Sequence, residues 1–177
     1  MKREKQLFFD KLNLNNELSF GGALLKNSHA KIQRPISTKR TMHMVLRSSL
    51  CKGKLSLLDS KNSPLVQKIL KTQSKRHNVK IYKIGQAYNH IHLLLLPKTR
   101  EGFIAFSRAI TGLIPRYVLG AQRGRSQGKR FWDKRPWTRI ISWGREFGGI
   151  LKYLEMNTLE AFGFIPYQPR KIRFNTA

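Results

Sequence analysis

The sequence predicts an α+β domain built on one antiparallel sheet of the ferredoxin-like (RRM-like) kind, with helices packed on it. Three observations lead there. Stretches with two-residue alternation and stretches with helical periodicity interleave in the order strand, helix, strand, strand, helix, strand, helix. The 177 residues are enough for one domain with a buried core. Hydrophobic residues make up 40% and aromatics 10%, a composition that folds rather than stays disordered.

The elements follow in chain order. Residues 1–38 are polar and basic without sustained periodicity; Gly21, Gly22 and Pro35 break them, so they read as an arm or loop, a solvated tail or a strip laid along phosphates. TMHMVLRSS (41–49) alternates as a strand, and a linker with Lys52, Gly53 and Lys54 follows. Residues 63–77 form an amphipathic helix, with Leu65, Val66 and Ile69 toward the core and Ser63 as N-cap. VKIYKIGQAY (79–88) and NHIHLLLLP (89–97) are two strands with Tyr88-Asn89 as the tight turn of a β-hairpin. Residues 100–120 are helical, with Phe103, Phe106, Ile110 and Leu113 on one face; Pro115 is expected to kink or shorten the helix. A Gly- and Arg-rich loop (121–130) leads to a strand around Thr138–Trp143, then to a helix over 145–162 despite Gly148 and Gly149. The domain proper is thus 39–163, followed by a basic tail, 164–177.

The net charge of +26 opposes compaction and calls for a polyanionic partner; nucleic acid supplies one through counterion release. The charge does not lie on an amphipathic helix with a clean apolar face, and LLLLP is far too short to span a bilayer, so no membrane partner is expected. The single cysteine, Cys51, allows neither an internal disulfide nor a zinc finger; with the short, interrupted apolar run at the N-terminus, this fits a cytoplasmic protein. Basic candidates for phosphate contact are Arg34, Lys39 and Arg40 in the arm and Arg123, Arg125, Lys129 and Arg130 in the loop. Trp132 and Trp137 are candidates for base stacking or for the core.

His90-Ile91-His92 is the sharpest feature. On a strand His90 and His92 share one face, and Ile91 points the other way into the core. Two imidazoles side by side can hold one divalent metal, although an H-x-H strand also suits two surface or core histidines. Tyr153 and Asn157 lie four apart on the last helix and so share a face. The Asn157 carbonyl oxygen is a hard ligand acceptable to Mg²⁺ or Mn²⁺. By spacing alone, Tyr153 reads as a packed core tyrosine and Asn157 as a helix-end residue.

Together these residues resemble a family. Tyr88-Asn89-His90-Ile91-His92-Leu93-Leu94 resembles the M-P-N-H-V-H-L-L motif of the single-tyrosine HUH transposases, among them the REP-associated tyrosine transposases. Arg34-Pro35 with His43-Met44-Val45-Leu46-Arg47, Phe131-Trp132-Asp133, and Tyr153-Leu154-Glu155-Met156-Asn157 resemble the family's R-P…H-V-V-L-R, F-W-x and Y-I-x-x-N segments. Ala87-Tyr88 replaces the usual Met-Pro, and Thr158 the Pro that often follows the last motif.

The resemblance implies the HUH endonuclease fold. It also implies His90, His92 and Asn157 as ligands of Mg²⁺ or Mn²⁺, Tyr153 as nucleophile, and His43 as a structural or DNA-facing residue. The implied activity is cleavage and rejoining of single-stranded or hairpin DNA through a 5′-phosphotyrosine, in a nucleoid-associated enzyme acting as monomer or homodimer. The alternatives are a domesticated relative that binds without cutting, an HUH replication initiator or relaxase, and a noncatalytic RNA-binding domain with a similar sheet. One tyrosine on the helix argues against the initiators and relaxases, and histidines on the central strand argue against the RNA-binding domain.

Overall fold

The computed structural model describes residues 34–120 and 130–168, and of the N-terminal segment the backbone of Phe20–Gly21. Its strands are β1 (Phe20–Gly21), β2 (Thr41–Arg47), β3 (Val79–Gln86), β4 (His90–Pro97) and β5 (Trp137–Ile141). Its helices are α1 (Asn62–Arg76), α2 (Arg100–Val118) and α3 (Arg145–Ala161), with a short 3₁₀ turn at Gly53–Leu55. The sheet order is β1-β5-β2-β4-β3, and every pairing is antiparallel. The four long strands and α1 and α2 reproduce the expected ferredoxin-like arrangement, with the first long strand flanked by the third and the last. The two-residue β1 lies in the segment read as an arm and extends the sheet beyond β5.

Alternation sorts the strands between two layers. Met42, Met44 and Leu46 of β2 and Ile91, Leu93 and Leu95 of β4 face one side. There they pack with Val66, Ile69 and Leu70 of α1 and with Phe103, Phe106, Ile110, Ile114 and Val118 of α2. On the opposite side Leu94, Ile141 and Leu154 form a smaller cluster with Phe147, Ile150, Leu151 and Tyr153, so α3 covers that face. Strand β4 is therefore central and covered on both sides. This is why it reads as a near-continuous apolar run, interrupted by the histidines at its start.

Several local expectations are corrected. Helix α1 begins at Asn62, and Lys61 rather than Ser63 occupies the N-cap position, without a side-chain cap bond. The buried Asn62 side chain instead donates to the carbonyls of Lys54 (3.0 Å) and Ser56 (2.8 Å). Leu65 is largely outside the core, because Val66, Ile69 and Leu70 already fill the buried face. Helix α2 runs through Pro115 to Val118, and the Leu119 N–H bonds the Pro115 carbonyl at 2.9 Å. The hairpin turn at Tyr88-Asn89 is closed by Ala87 N–H to His90 C=O (3.0 Å). Neither turn residue has positive φ, since Asn78 is the one such non-glycine among the described residues. The turn is held from outside: the Tyr88 carbonyl accepts from Leu57 N–H and the Asn89 carbonyl from Ser48 N–H, both at 2.8 Å.

Candidate active site

The register carries His43, Val45 and Arg47 of β2 onto the same face as Leu94, His92 and His90 of β4, each opposite its partner. Ile91 is fully buried on the other face, as the alternation requires. Helix α3 crosses this face, because its start is tied to β5. Glu146 receives the Arg139 guanidinium, and its other oxygen accepts the Ser142 N–H at 2.7 Å. Strand β3 lets the helix come close through Gly85, opposite His92. A Cβ there would lie 3.3 Å from Leu154 Cδ2 and 3.5 Å from both the Leu154 carbonyl oxygen and His92 Cβ.

Four side chains expected to act together meet here. His90 and His92 lie with ring centroids 4.9 Å apart, the Tyr153 ring meets His92 edge-on at 5.7 Å, and Asn157 Nδ2 is 3.4 Å from His90 Nε2. His90 Nδ1 is 2.8 Å from Asn89 Oδ1. A carboxamide oxygen only accepts, so the proton of neutral His90 sits on Nδ1 and the Nε2 lone pair points toward Asn157. Burial, and after it the nearby Arg47 charge, lowers the His90 pKa and favours this neutral form.

His43 completes the group, and its contact with His92 was not legible in the sequence. Its Nε2 lies 2.9 Å from His92 Nδ1, the rings stack at 15° with centroids 5.1 Å apart, and Trp137 packs edge-on against His43 at 5.6 Å. His43 and His92 are 6% and 7% exposed, so this bond is shielded from water. Burial first, then Arg139, pushes the His43 pKa down to about 4, leaving a neutral ring that can accept from His92.

The basic candidates divide. Lys39 and Arg40 are exposed, and their backbone N–H groups are tied to Ser37 Oγ at 3.3 and 2.9 Å. Arg130 is exposed, whereas Arg123, Arg125 and Lys129 lie outside the described residues. Arg34 is half-buried: Nη1 is 3.5 Å from Thr138 Oγ1, and its carbonyl faces the Arg100 guanidinium at 3.4 and 3.5 Å. Trp132 is core, while Trp137 stands at the edge of the site. Asp133 anchors the segment before β5 to the end of β2 through Ser49 N–H and Oγ, both at 2.8 Å. Among the described residues no three His, Cys, Asp or Glu side chains gather to hold a metal; the candidate set is two histidines and an asparagine.

A family model for IS200-like transposases matches residues 37–155, a span that includes His43, His90, His92 and Tyr153. The chain belongs to the IS200-like transposase family. This transposase-like chain is also similar to a solved structure of a REP-associated tyrosine transposase bound to a REP hairpin. The TM-score is 0.60 at 15% identity, over 77% of this chain and 76% of that one. A Deinococcus radiodurans R1 protein assigned as a transposase aligns with TM-score 0.46 at 15% identity, over 75% of this chain and 98% of that one. At that identity the likeness to the REP-associated tyrosine transposase speaks for the fold alone. No curated protein matches the transposase-like chain.

Proposed function

We propose that this transposase-like chain is a divalent-metal-dependent endonuclease and strand transferase acting on single-stranded or hairpin DNA, with Tyr153 as nucleophile. The observation that carries the reading is the convergence of Tyr153, His90, His92 and Asn157 on one face of the sheet. Tyr153 stands beside His92 of its own chain.

The residues fit a Mg²⁺ or Mn²⁺ ion. His90 would bind through Nε2, because Nδ1 is engaged by Asn89, and His92 through Nε2, because Nδ1 is engaged by His43. Asn157 would turn its carboxamide oxygen inward, a rotation that exchanges atoms of similar shape. This donor set is neutral. When bound, the metal would polarise the scissile phosphate and screen its charge, and it would favour the phenolate of a neighbouring tyrosine.

The chain's own part is positioning. Tyr153 Oη would form the bond to phosphorus, the 3′-oxygen would leave and take a proton, and the 5′-phosphate would stay on the tyrosine. The phosphodiester energy is kept in that link, so another 3′-hydroxyl can reverse the step without ATP. Lys39, Arg40 and Arg130, exposed on the described surface, with Arg123, Arg125 and Lys129 of the loop, would hold the backbone. Arg34 would act through the fold that it braces. Such an enzyme works on nucleoid DNA in the cytoplasm; among the described residues no helix is long and apolar enough to cross a membrane.

The test uses hairpin oligonucleotides with Mg²⁺ or Mn²⁺ and looks for a denaturation-resistant protein–DNA adduct. The adduct is expected to disappear in Tyr153→Phe and in His90→Ala. An adduct that survives Tyr153→Phe overturns the nucleophile, and absence of adduct on every hairpin favours a binding-only relative.

A further inference from the structure

At the other end of α3 from Asn157, three aromatic rings meet in basic surroundings. Tyr82 lies edge-on to Trp143 at 5.7 Å and to Phe147 at 5.4 Å, and Trp143 and Phe147 are 5.0 Å apart. They come from β3, from the turn after β5 and from the first turn of α3. A register shift between Ile81 and Lys83 makes Tyr82 the extra residue of a β-bulge, a device that re-aims a side chain on an edge strand. Gly144, at φ +88°, turns the chain immediately after Trp143, in a conformation that a residue with Cβ rarely adopts.

Trp143 is pinned and yet open. Its indole N–H donates to the Lys39 carbonyl at 3.2 Å, two rings pack against it, and it is still 48% exposed. A core tryptophan would be covered, and an unattached surface one would lose rotamer freedom on binding. This one offers an aromatic surface to solvent that is already ordered. Lys39, Arg40, Lys80 and Arg145 are all exposed, and the Lys80 ammonium sits 4.7 Å over the Tyr82 ring. Glu146, next to Phe147 in the chain, is engaged by Arg139 and by the Ser142 N–H.

We propose that Trp143, Lys39 and Arg40 form a second single-stranded DNA subsite, in which an unpaired base stacks on the indole and flanking phosphates meet the two basic side chains. This rests on the single-strand DNA reading given above. Every base has a π-face and every linkage a phosphate, so such a subsite tolerates any sequence. From Phe147 to Tyr153 helix α3 rises about 9 Å, a distance that a few nucleotides of extended strand cover. A strand anchored at Trp143 would therefore reach Tyr153 along the helix, held at two points rather than by its scissile phosphate alone.

The experiment uses the full chain carrying Tyr153→Phe, so that DNA is bound without being cut, and measures fluorescence anisotropy of a labelled unstructured oligonucleotide. Trp143→Phe and Trp143→Leu are compared. Both lose the indole N–H and both are smaller than the indole, but Phe alone keeps a π-face. Thermal unfolding reports that each variant is folded. The Leu variant is expected to bind about tenfold more weakly than the Phe variant. The difference should vanish on an abasic oligonucleotide of equal length. Lys39→Ala and Arg40→Ala should each reduce the slope of log affinity against log salt by about 0.7. Equal binding by the Leu and Phe variants overturns the subsite, as does a difference that persists on the abasic strand. If the Tyr153→Phe parent binds no single-stranded DNA at all, it is the reading under Proposed function that falls.

Discussion

The Trp132 indole N–H donates at 2.9 Å to the carbonyl of Thr111, the carbonyl that would otherwise receive the N–H of residue 115. Residue 115 is proline and has no N–H to give. The indole fills that vacancy, which accounts for a helix that continues past a proline expected to shorten it. The same indole meets the buried Phe131 ring edge-on at 4.8 Å.

Trp132→Phe should thus lower stability by about 1–3 kcal/mol, through an orphaned carbonyl and lost packing. In a Pro115→Ala background, where the helix supplies its own donor, the cost should be smaller. Chemical denaturation of the four proteins of this double-mutant cycle measures the coupling; equal costs in both backgrounds would break the link.

His43 should act on the proposed metal site through His92. Replacing it by Leu removes the partner of His92 Nδ1 across a 2.9 Å bond and leaves the ring orientation less determined. Mn²⁺ affinity, read by electron paramagnetic resonance, is expected to fall about 10–100-fold, with partial recovery in His43→Gln. Unchanged affinity in His43→Leu would assign His43 to packing alone.

Gly85 should be required for the seating of α3. Gly85→Val places methyl groups where Leu154 already stands 3.3 Å from the first added carbon. It should cost about 1–3 kcal/mol and slow adduct formation, because Tyr153 precedes Leu154 on the helix. Gly85→Ala should do less of both, since the flexible end of Leu154 can give way. Rates and unfolding midpoints together check this; a Val variant with the wild-type rate would show that the close approach does not position Tyr153.

Cys51 should resist alkylation in the folded protein. It is buried, and burial first, with Asp133 adding to it, raises the thiol pKa, partly opposed by a hydrogen bond to Ser48. An acid whose folded pKa is raised contributes stability below its unfolded pKa and loses it as pH rises through the folded value. Labelling with a maleimide should be slow under native conditions and rapid in denaturant. Cys51→Ser should flatten part of the alkaline loss of stability. Fast native labelling would contradict the burial.

Much of this was written locally. Two-residue alternation is a property of the pleated backbone itself, so His90 and His92 share a face and Ile91 enters the core whatever the strand pairs with. The four-residue spacing of Tyr153 and Asn157 is likewise a property of the helix. The element order and the family resemblance then follow from motifs within single segments. Register, in contrast, belongs to pairs of strands, and only the folded sheet sets His43 of β2 beside His92 of β4. The bulge at Tyr82, the close passage of α3 over Gly85 and the indole that replaces a proline's missing donor depend on chain segments far apart in sequence. The sequence by itself therefore determined which side chains could do chemistry and in which elements they stand. The tertiary structure decided which of them touch, because contact is settled by packing between elements and not by periodicity within one.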